Sequence, residues 1–175
     1  MTVQTKIKTK RYLVYALIIF LAHILQNTVP IFPEIARVRP LLLVPVAVCI
    51  AMFEGEIVGA AAGLLAGMLW DTVTVTADGY VALYLTVACA VCGVLLRIFL
   101  RNNIITYFIM CSGILFVYLV TYVLFFISAR GIDGAGLIFL RYYIPMGLYS
   151  FLLTPLWYYL VRTIYRKFSF EYTEY

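Results

Sequence analysis

Charged residues are scarce in this sequence. Only 12% of its 175 residues are charged, whereas 65% are hydrophobic, and an ordinary soluble domain has roughly 25% charged residues. A soluble fold of this size could not bury so much apolar surface. The sequence therefore predicts an integral membrane protein, in which lipid is the solvent for most side chains.

Patterns for catalysis and cofactor binding are also absent. There is no phosphate-binding Gly-rich loop with Lys and Ser/Thr, no HExxH and no GxSxG. The four cysteines lie inside apolar stretches, and the CxxC formed by two of them has no second Cys/His pair, so we interpret them as packing residues. These are Cys49, Cys89, Cys92 and Cys111. We expect a protein that is not an enzyme and that holds no cofactor or metal.

Six apolar segments, bounded by charges and helix breakers, predict an all-α bundle of six transmembrane helices in a single membrane-embedded domain. They are residues 12–29, 40–53, 57–70, 80–96, 104–129 and 137–161. The second and third are shorter than the roughly 20 residues of a full span. We favour two short spans over one re-entrant hairpin, which would bury Glu54 and Glu56 inside the membrane. The first segment has no signal-peptide cleavage pattern, which predicts a retained helix.

The positive charges predict the orientation. Lys and Arg residues precede the first segment, follow the fourth and follow the sixth, and these three positions fall on one side of a six-span protein. The positive-inside rule therefore places both termini in the cytoplasm. The excess of 13 Lys and Arg over 8 Asp and Glu suits lipid headgroups, and no extended basic face indicates nucleic-acid binding.

A glycine stripe is the sharpest local pattern. Gly59, Gly63 and Gly67 recur every four residues in the third segment, so they share one helix face and form a groove that another backbone can approach closely. Two interpretations stay open. The groove packs against a helix of the same chain, or it receives the transmembrane helix of a partner.

Charged residues at the segment ends suggest two pairings. Asp71, after the third segment, and Arg141, one turn inside the sixth, are placed at the same depth, and we predict an ion pair between them as an alternative to separate contacts with headgroups. On the cytoplasmic side, Glu54 and Glu56 flank a tight turn within reach of Arg97 or Arg101, and we predict that these charges balance one another at the headgroup surface. Acid–base chemistry by the two carboxylates is the less favoured interpretation.

Three polar residues lie near the end of the first segment. His23, Gln26 and Asn27 follow the spacing i, i+3 and i+4, so they lie together near the outer end of the helix. We predict hydrogen bonds to a neighbouring helix. A proton relay is disfavoured because the chain has a single histidine.

Several local patterns together resemble the rod shape-determining MreD family of bacteria. They are Leu25-Gln26, the run from Arg39 to Leu43, the charged turn around Gly55, the glycine helix ending in Trp70-Asp71, Asp78-Gly79-Tyr80, and Gly93 with Leu95-Leu96-Arg97. Leu41 and Asp78 depart from the family pattern, as in a divergent member.

The resemblance implies a function. It implies a multi-pass protein of the bacterial plasma membrane that acts as a non-enzymatic scaffold in cell elongation and lateral peptidoglycan synthesis. Its implied partners are MreC and, through it, RodA, a class B penicillin-binding protein and, indirectly, MreB. The implied fold resembles the six-helix S-component of energy-coupling-factor transporters. That fold supplies an alternative function, the binding of a vitamin or nucleobase. A lipid-modifying enzyme is a third, with only Glu54 and Glu56 to support it.

Overall fold

The computed structural model describes residues 3–27, 40–74, 79–99, 102–128, 141–142 and 144–173, and every regular element in these ranges is helical. Six helices follow one another along the chain, and the fifth continues as a π-helical turn at residues 123–128. Their bounds are α1 Val3–Asn27, α2 Leu43–Glu54, α3 Glu56–Asp71, α4 Tyr80–Ile98, α5 Ile104–Tyr122 and α6 Ile144–Thr173. The all-α prediction is therefore confirmed.

Helix α2 forms the centre of the bundle. Every residue from Leu43 to Met52 is buried, and the helix packs against α1, α3, α4, α5 and α6. A helix that is apolar on all sides is stable only when other helices surround it. Pro45 is tolerated because it lies in the first helical turn, where the backbone N–H groups have no partner within the helix.

In the part of the chain that the structure describes, three helices are long and apolar enough to cross a membrane. They are Tyr80–Ile98, Ile104–Phe125 and Ile144–Phe168. Helix α2 is apolar but has only 12 residues, about 18 Å at 1.5 Å per residue. Six full spans therefore remain a prediction. The sixth helix also continues to Thr173, three turns beyond the predicted end of its span.

The helices run alternately up and down, so their ends collect at two levels. At the proximal end, defined by the start of α1 and the end of α6, Arg11 contacts Glu54 and the Phe53 ring lies 5.3 Å from the Tyr165 ring. The opposite, distal end contains the turn after α3 and the start of α4. Both described ends of the chain, in α1 and α6, thus lie at the same end of the bundle.

Candidate functional site

The glycine stripe of α3 lies against two other helices of the same chain. A Cβ on Gly63 would overlap the carbonyl oxygen of Leu85 and stand 2.8 Å from its carbonyl carbon, and a Cβ on Gly67 would overlap the Cα of Ala82, both in α4. A Cβ on Gly59 would lie 2.7 Å from the Cα of Ala51 in α2. Since backbone atoms cannot rotate away, these positions require glycine. The groove is occupied from within the chain, and no room for a partner helix is left in it.

Gly93 completes this contact from the side of α4. A Cβ there would stand 2.5 Å from the backbone nitrogen of Glu56, where α3 begins. The sequence contained a signal for this role, because Cys89 and Gly93 are small residues four positions apart and so share a face. The α3–α4 interface is therefore built from small residues on both helices.

Asp71 caps helix α4. Its carboxylate accepts hydrogen bonds from the backbone N–H groups of Val81, at 3.2 Å, and Ala82, at 2.9 Å. These are N–H groups of the first helical turn, which have no partner within the helix and which attract negative charge. The residue at the N-cap position, Gly79, has no side chain to offer, so Asp71 supplies the cap from the preceding helix.

In the described part of the structure, Asp71 and Arg141 do not form the predicted ion pair. Both residues are described, and Asp71 bonds to the start of α4, whereas the side chain of Arg141 is exposed. Two residues at the same depth can still lie on different sides of the bundle, so a shared depth does not predict a contact. The carboxylate already accepts two hydrogen bonds from helix N–H groups, and these interactions stabilise it without a guanidinium.

Glu54 forms a buried ion pair at the proximal end. Its Oε2 accepts from Arg11 Nη2 at 2.8 Å and its Oε1 from the Tyr15 hydroxyl at 2.8 Å, and its side chain is only 5% exposed. Burial raises the pKa of the Glu54 carboxyl, whereas the Tyr15 hydrogen bond and the Arg11 charge act to lower it. The sequence prediction missed Arg11 as the partner, although this residue is the last cation before the apolar part of α1.

Glu56, across the turn, has a separate partner. It pairs with Arg97 at 2.5 Å, and the Arg97 side chain is 73% exposed. The pKa of Glu56 is lowered, first by its backbone N–H at the start of α3 and then by Arg97. The expected balance of charges thus involves Glu56 and Arg97. Arg101 lies outside the described residues. Glu54 and Glu56 are held by different arginines, so they do not form a shared acid–base site.

The polar residues on this face of α1 make two separate sets of hydrogen bonds. Gln26 Oε1 accepts from the backbone N–H groups of Leu42, at 2.9 Å, and Leu43, at 3.2 Å. Asn27 donates to the backbone oxygen of His23 at 3.0 Å and its amide lies 3.1 Å from His23 Nδ1. Gln26 therefore reaches the start of α2, while His23 and Asn27 bond to each other.

A buried serine, which sequence reasoning did not single out, completes the start of α2. Ser150 Oγ accepts from the backbone N–H of Leu41 at 2.7 Å and donates to the carbonyl of Met146 at 2.7 Å. Together with Gln26 and Asp71, it satisfies helix termini that would otherwise be left unpaired in an apolar environment. The polar side chains at the distal end thus serve the fold.

An apolar groove separates α4 from α5. It has a volume of about 450 Å³ and extends along one face of each helix, from Tyr80 to Leu95 on α4 and from Met110 to Val117 on α5. The Tyr80 hydroxyl donates to Thr121 Oγ1 and the Tyr84 hydroxyl to the carbonyl of Ile114, both at 2.6 Å. A Cβ on Gly113 would meet nothing within 4 Å. The groove is open and almost without available polar groups.

The described residues contain no group of three or more His, Cys, Asp or Glu side chains that could hold a metal ion. Their polar side chains connect helices, and large apolar residues are exposed along α1, α4, α5 and α6. The described residues therefore define an all-helical membrane protein that exposes mainly apolar helix surfaces.

The sequence profile of the rod shape-determining protein MreD family matches residues 7–168. The chain therefore belongs to this family of shape-determining proteins, as the sequence patterns predicted. Comparisons with characterised proteins and with solved structures gave no match, so the resemblance to transporter S-components stays a prediction.

Proposed function

We propose that this chain is a non-enzymatic scaffold of the cell-elongation machinery in the bacterial plasma membrane. It regulates cell shape and lateral peptidoglycan synthesis by binding the transmembrane helix of MreC. Through MreC it acts on RodA, a class B penicillin-binding protein and, indirectly, MreB. Membership of the MreD family supports the role in rod shape, and the partners are those that the family resemblance implies.

The α4–α5 groove is the observation that carries this proposal. Its lining from Tyr80 to Leu95 covers 15 steps of helix, about 22 Å at 1.5 Å per residue, which is a large part of a hydrocarbon layer of about 30 Å. Helices associate in lipid through close packing at small residues. Gly113 offers such a position, because the space beside it is empty.

The alternative functions have less support. A vitamin or nucleobase site needs convergent polar groups, but Gln26 and Asp71 bond to helix termini, and His23 bonds to Asn27. A lipid-modifying enzyme needs carboxylates directed at one substrate, and Glu54 and Glu56 are paired separately. Binding of a partner helix requires exposed apolar helix surface, which the described residues provide.

Capture of MreC by a Gly113→Phe variant tests the proposal. The ring would enter the groove without meeting atoms near the Cβ, so the variant should fold, and we expect at least a tenfold loss of co-purified MreC, the effect of about 1.4 kcal/mol. Leu152→Phe is the matched control, because Leu152 is 72% exposed on α6 and does not line the groove. Undiminished capture by a folded Gly113→Phe variant would refute docking in this groove.

A further inference from the structure

Helix α3 presents only a short apolar length to lipid. It begins at Glu56 and ends at Asp71, and the 14 residues between them, 57–70, include no charged side chain. At 1.5 Å per residue they cover about 21 Å, whereas the hydrocarbon layer of a bilayer is about 30 Å thick. Leu65 and Met68 are exposed along this stretch, so hydrocarbon has to surround it.

Polar groups mark both ends of this stretch. At the proximal end, Glu56 pairs with the exposed side chain of Arg97. Such an ion pair belongs at the level of the headgroups, because an ionised side chain is costly in hydrocarbon. At the distal end, the same cost applies to the Asp71 carboxylate that caps α4. Helix α1, which packs against α3, is equally short, since its residues 12–25, between an arginine and a glutamine, also number 14.

Helix α5 extends farther than α3 at the distal end. Its start is level with the end of α2, because Asn102 donates to the carbonyl of Met52. Near the distal end of α3, the Trp70 ring lies 5.4 Å from the Tyr118 ring of α5. Beyond this level, α5 continues without a charged residue to Phe125, whose side chain is exposed. Its apolar surface thus reaches about 10 Å farther, at 1.5 Å per residue.

We propose that the distal leaflet of the bilayer is thinned beside α1 and α3, and that this side of the bundle is a surface for compressed or short acyl chains. A flat leaflet of full thickness would cover Asp71 with hydrocarbon, and a flat thin leaflet would leave Phe125 in water. A tilt that levelled the distal ends would transfer the mismatch to the proximal leaflet, because the apolar length of α3 would not change. Local thinning is a known response to a short span.

A surface of this kind would favour the protein in thin regions of a membrane over thick ones, since mismatch sorts membrane proteins by bilayer thickness. The occupant of the α1–α3 side is then lipid, and neither a partner helix nor a second copy of the chain is required there. The proposal is independent of the scaffold function, because it involves neither the α4–α5 groove nor MreC.

Thiol labelling at two matched positions tests the proposal. Val73, just beyond α3, is 50% exposed, and Leu124 of α5 is 57% exposed. The full-length variants Val73→Cys and Leu124→Cys are placed in nanodiscs of dioleoylphosphatidylcholine and treated with a water-soluble maleimide. With thinning, the first thiol lies among headgroups and the second in hydrocarbon, where the reactive thiolate does not form. We expect Val73→Cys to be labelled about tenfold faster or more.

A flat leaflet gives the opposite order. Leu124 lies six residues beyond Tyr118, whereas Val73 lies three beyond Trp70, so Leu124 is at least as far from the centre of the bundle. In a flat leaflet Leu124→Cys should therefore be labelled at least as fast as Val73→Cys. That result would overturn the proposal.

Two controls complete the labelling experiment. Leu65→Cys, in the middle of α3, should stay unlabelled, and fast labelling there would mean that α3 is not in hydrocarbon. The unmodified protein gives the background, because its four cysteines are at most 1% exposed. Thermal unfolding checks that each variant is folded. Disulfide-linked dimers of Leu65→Cys after mild oxidation would mean that a second copy covers α3, which also overturns the proposal.

Acyl-chain length provides an independent readout. The unmodified protein is unfolded thermally in dimyristoleoyl-, dioleoyl- and dierucoylphosphatidylcholine, in order of increasing chain length. We expect the midpoint to fall along this series, because longer chains have to be compressed further beside α3. A midpoint that rose or stayed constant would contradict the thinning. These measurements are made without MreC, so their failure leaves the Gly113→Phe capture result untouched.

Discussion

Helix α4 meets α3 on one side and α5 on another, and it contacts these two helices in opposite ways. Toward α3 it is in backbone contact, since a Cβ at Gly63 or Gly67 would overlap atoms of Leu85 or Ala82. Toward α5 it diverges and leaves a groove of about 450 Å³. The α3 side is built from glycine, alanine and cysteine. The α5 side is lined by large aliphatic and aromatic residues, with open space beside Gly113.

The difference follows from the physics of helices in lipid. Lipid tails are as apolar as leucine side chains, so large apolar residues gain little by leaving lipid, and tight association depends on close packing of small residues. On the α3 side, the small residues of α4 are already packed against a helix of the same chain. Among the described residues, two tyrosine hydrogen bonds and the ring contacts of Tyr80 and Tyr84 with Tyr118 join α4 to α5, beside an empty volume. A surface that can still accept a helix is therefore more useful as a site than the conspicuous glycine stripe.

The largest effect is expected from Gly63→Leu. Its side chain would have to displace the backbone of Leu85, and overpacking of this kind costs about 3 kcal/mol or more. We expect unfolding at a much lower denaturant concentration, measured by tyrosine and tryptophan fluorescence in detergent micelles with increasing dodecyl sulfate. Gly113→Leu adds the same atoms on α5, where they enter the open groove beside α4. It should leave the midpoint of unfolding nearly unchanged.

This pair of variants tests whether the two sides of α4 differ in how closely they are packed. If Gly63→Leu folded as well as the unmodified protein, then the α3–α4 contact would not be as close as the structure has it. If Gly113→Leu unfolded as easily as Gly63→Leu, the α4–α5 groove would be filled in the folded protein. In either case the two sides of α4 would be equivalent.

A smaller effect is expected from Asp71→Ala at the distal end of the α3–α4 interface. The substitution leaves the N–H groups of Val81 and Ala82 without their acceptor, and the loss of a helix cap costs about 1–2 kcal/mol. The same unfolding measurement detects it. Arg141→Ala is the control and should have no effect, whereas an equal loss from Arg141→Ala would support the predicted ion pair of Asp71 with Arg141.

Much of the architecture could be predicted from the sequence. The apolar segments predicted helices, the charged turn around Gly55 separated α2 from α3, and the local patterns indicated the family that the match to residues 7–168 confirms. These features depend on neighbouring residues in the chain, and local spacing carries that information. The glycine stripe likewise predicted a close backbone contact.

The partners in each contact were harder to predict, because they depend on rotation of the helices about their axes. The spacing of Gly63 does not say whether α4 or a foreign helix fills the groove. Gln26 and Asp71 were expected to bond with neighbours, yet only the assembled bundle brings the starts of α2 and α4 within their reach. The α4–α5 groove left no signal, because its apolar lining has the same composition as a surface that contacts lipid.

The smallest effect is expected from Tyr84→Phe on the open side of α4. It removes the hydrogen bond to the carbonyl of Ile114, which spans the groove, and such bonds between membrane helices are worth about 0.6 kcal/mol on average. The ring and its apolar contacts remain, so the unfolding midpoint should shift slightly and MreC capture should persist. A loss approaching that of Gly63→Leu would mean that this bond holds α5 to the bundle. The α4–α5 side would then be a structural interface that happens to be hollow, and a helix entering the groove would have to displace part of the fold to bind.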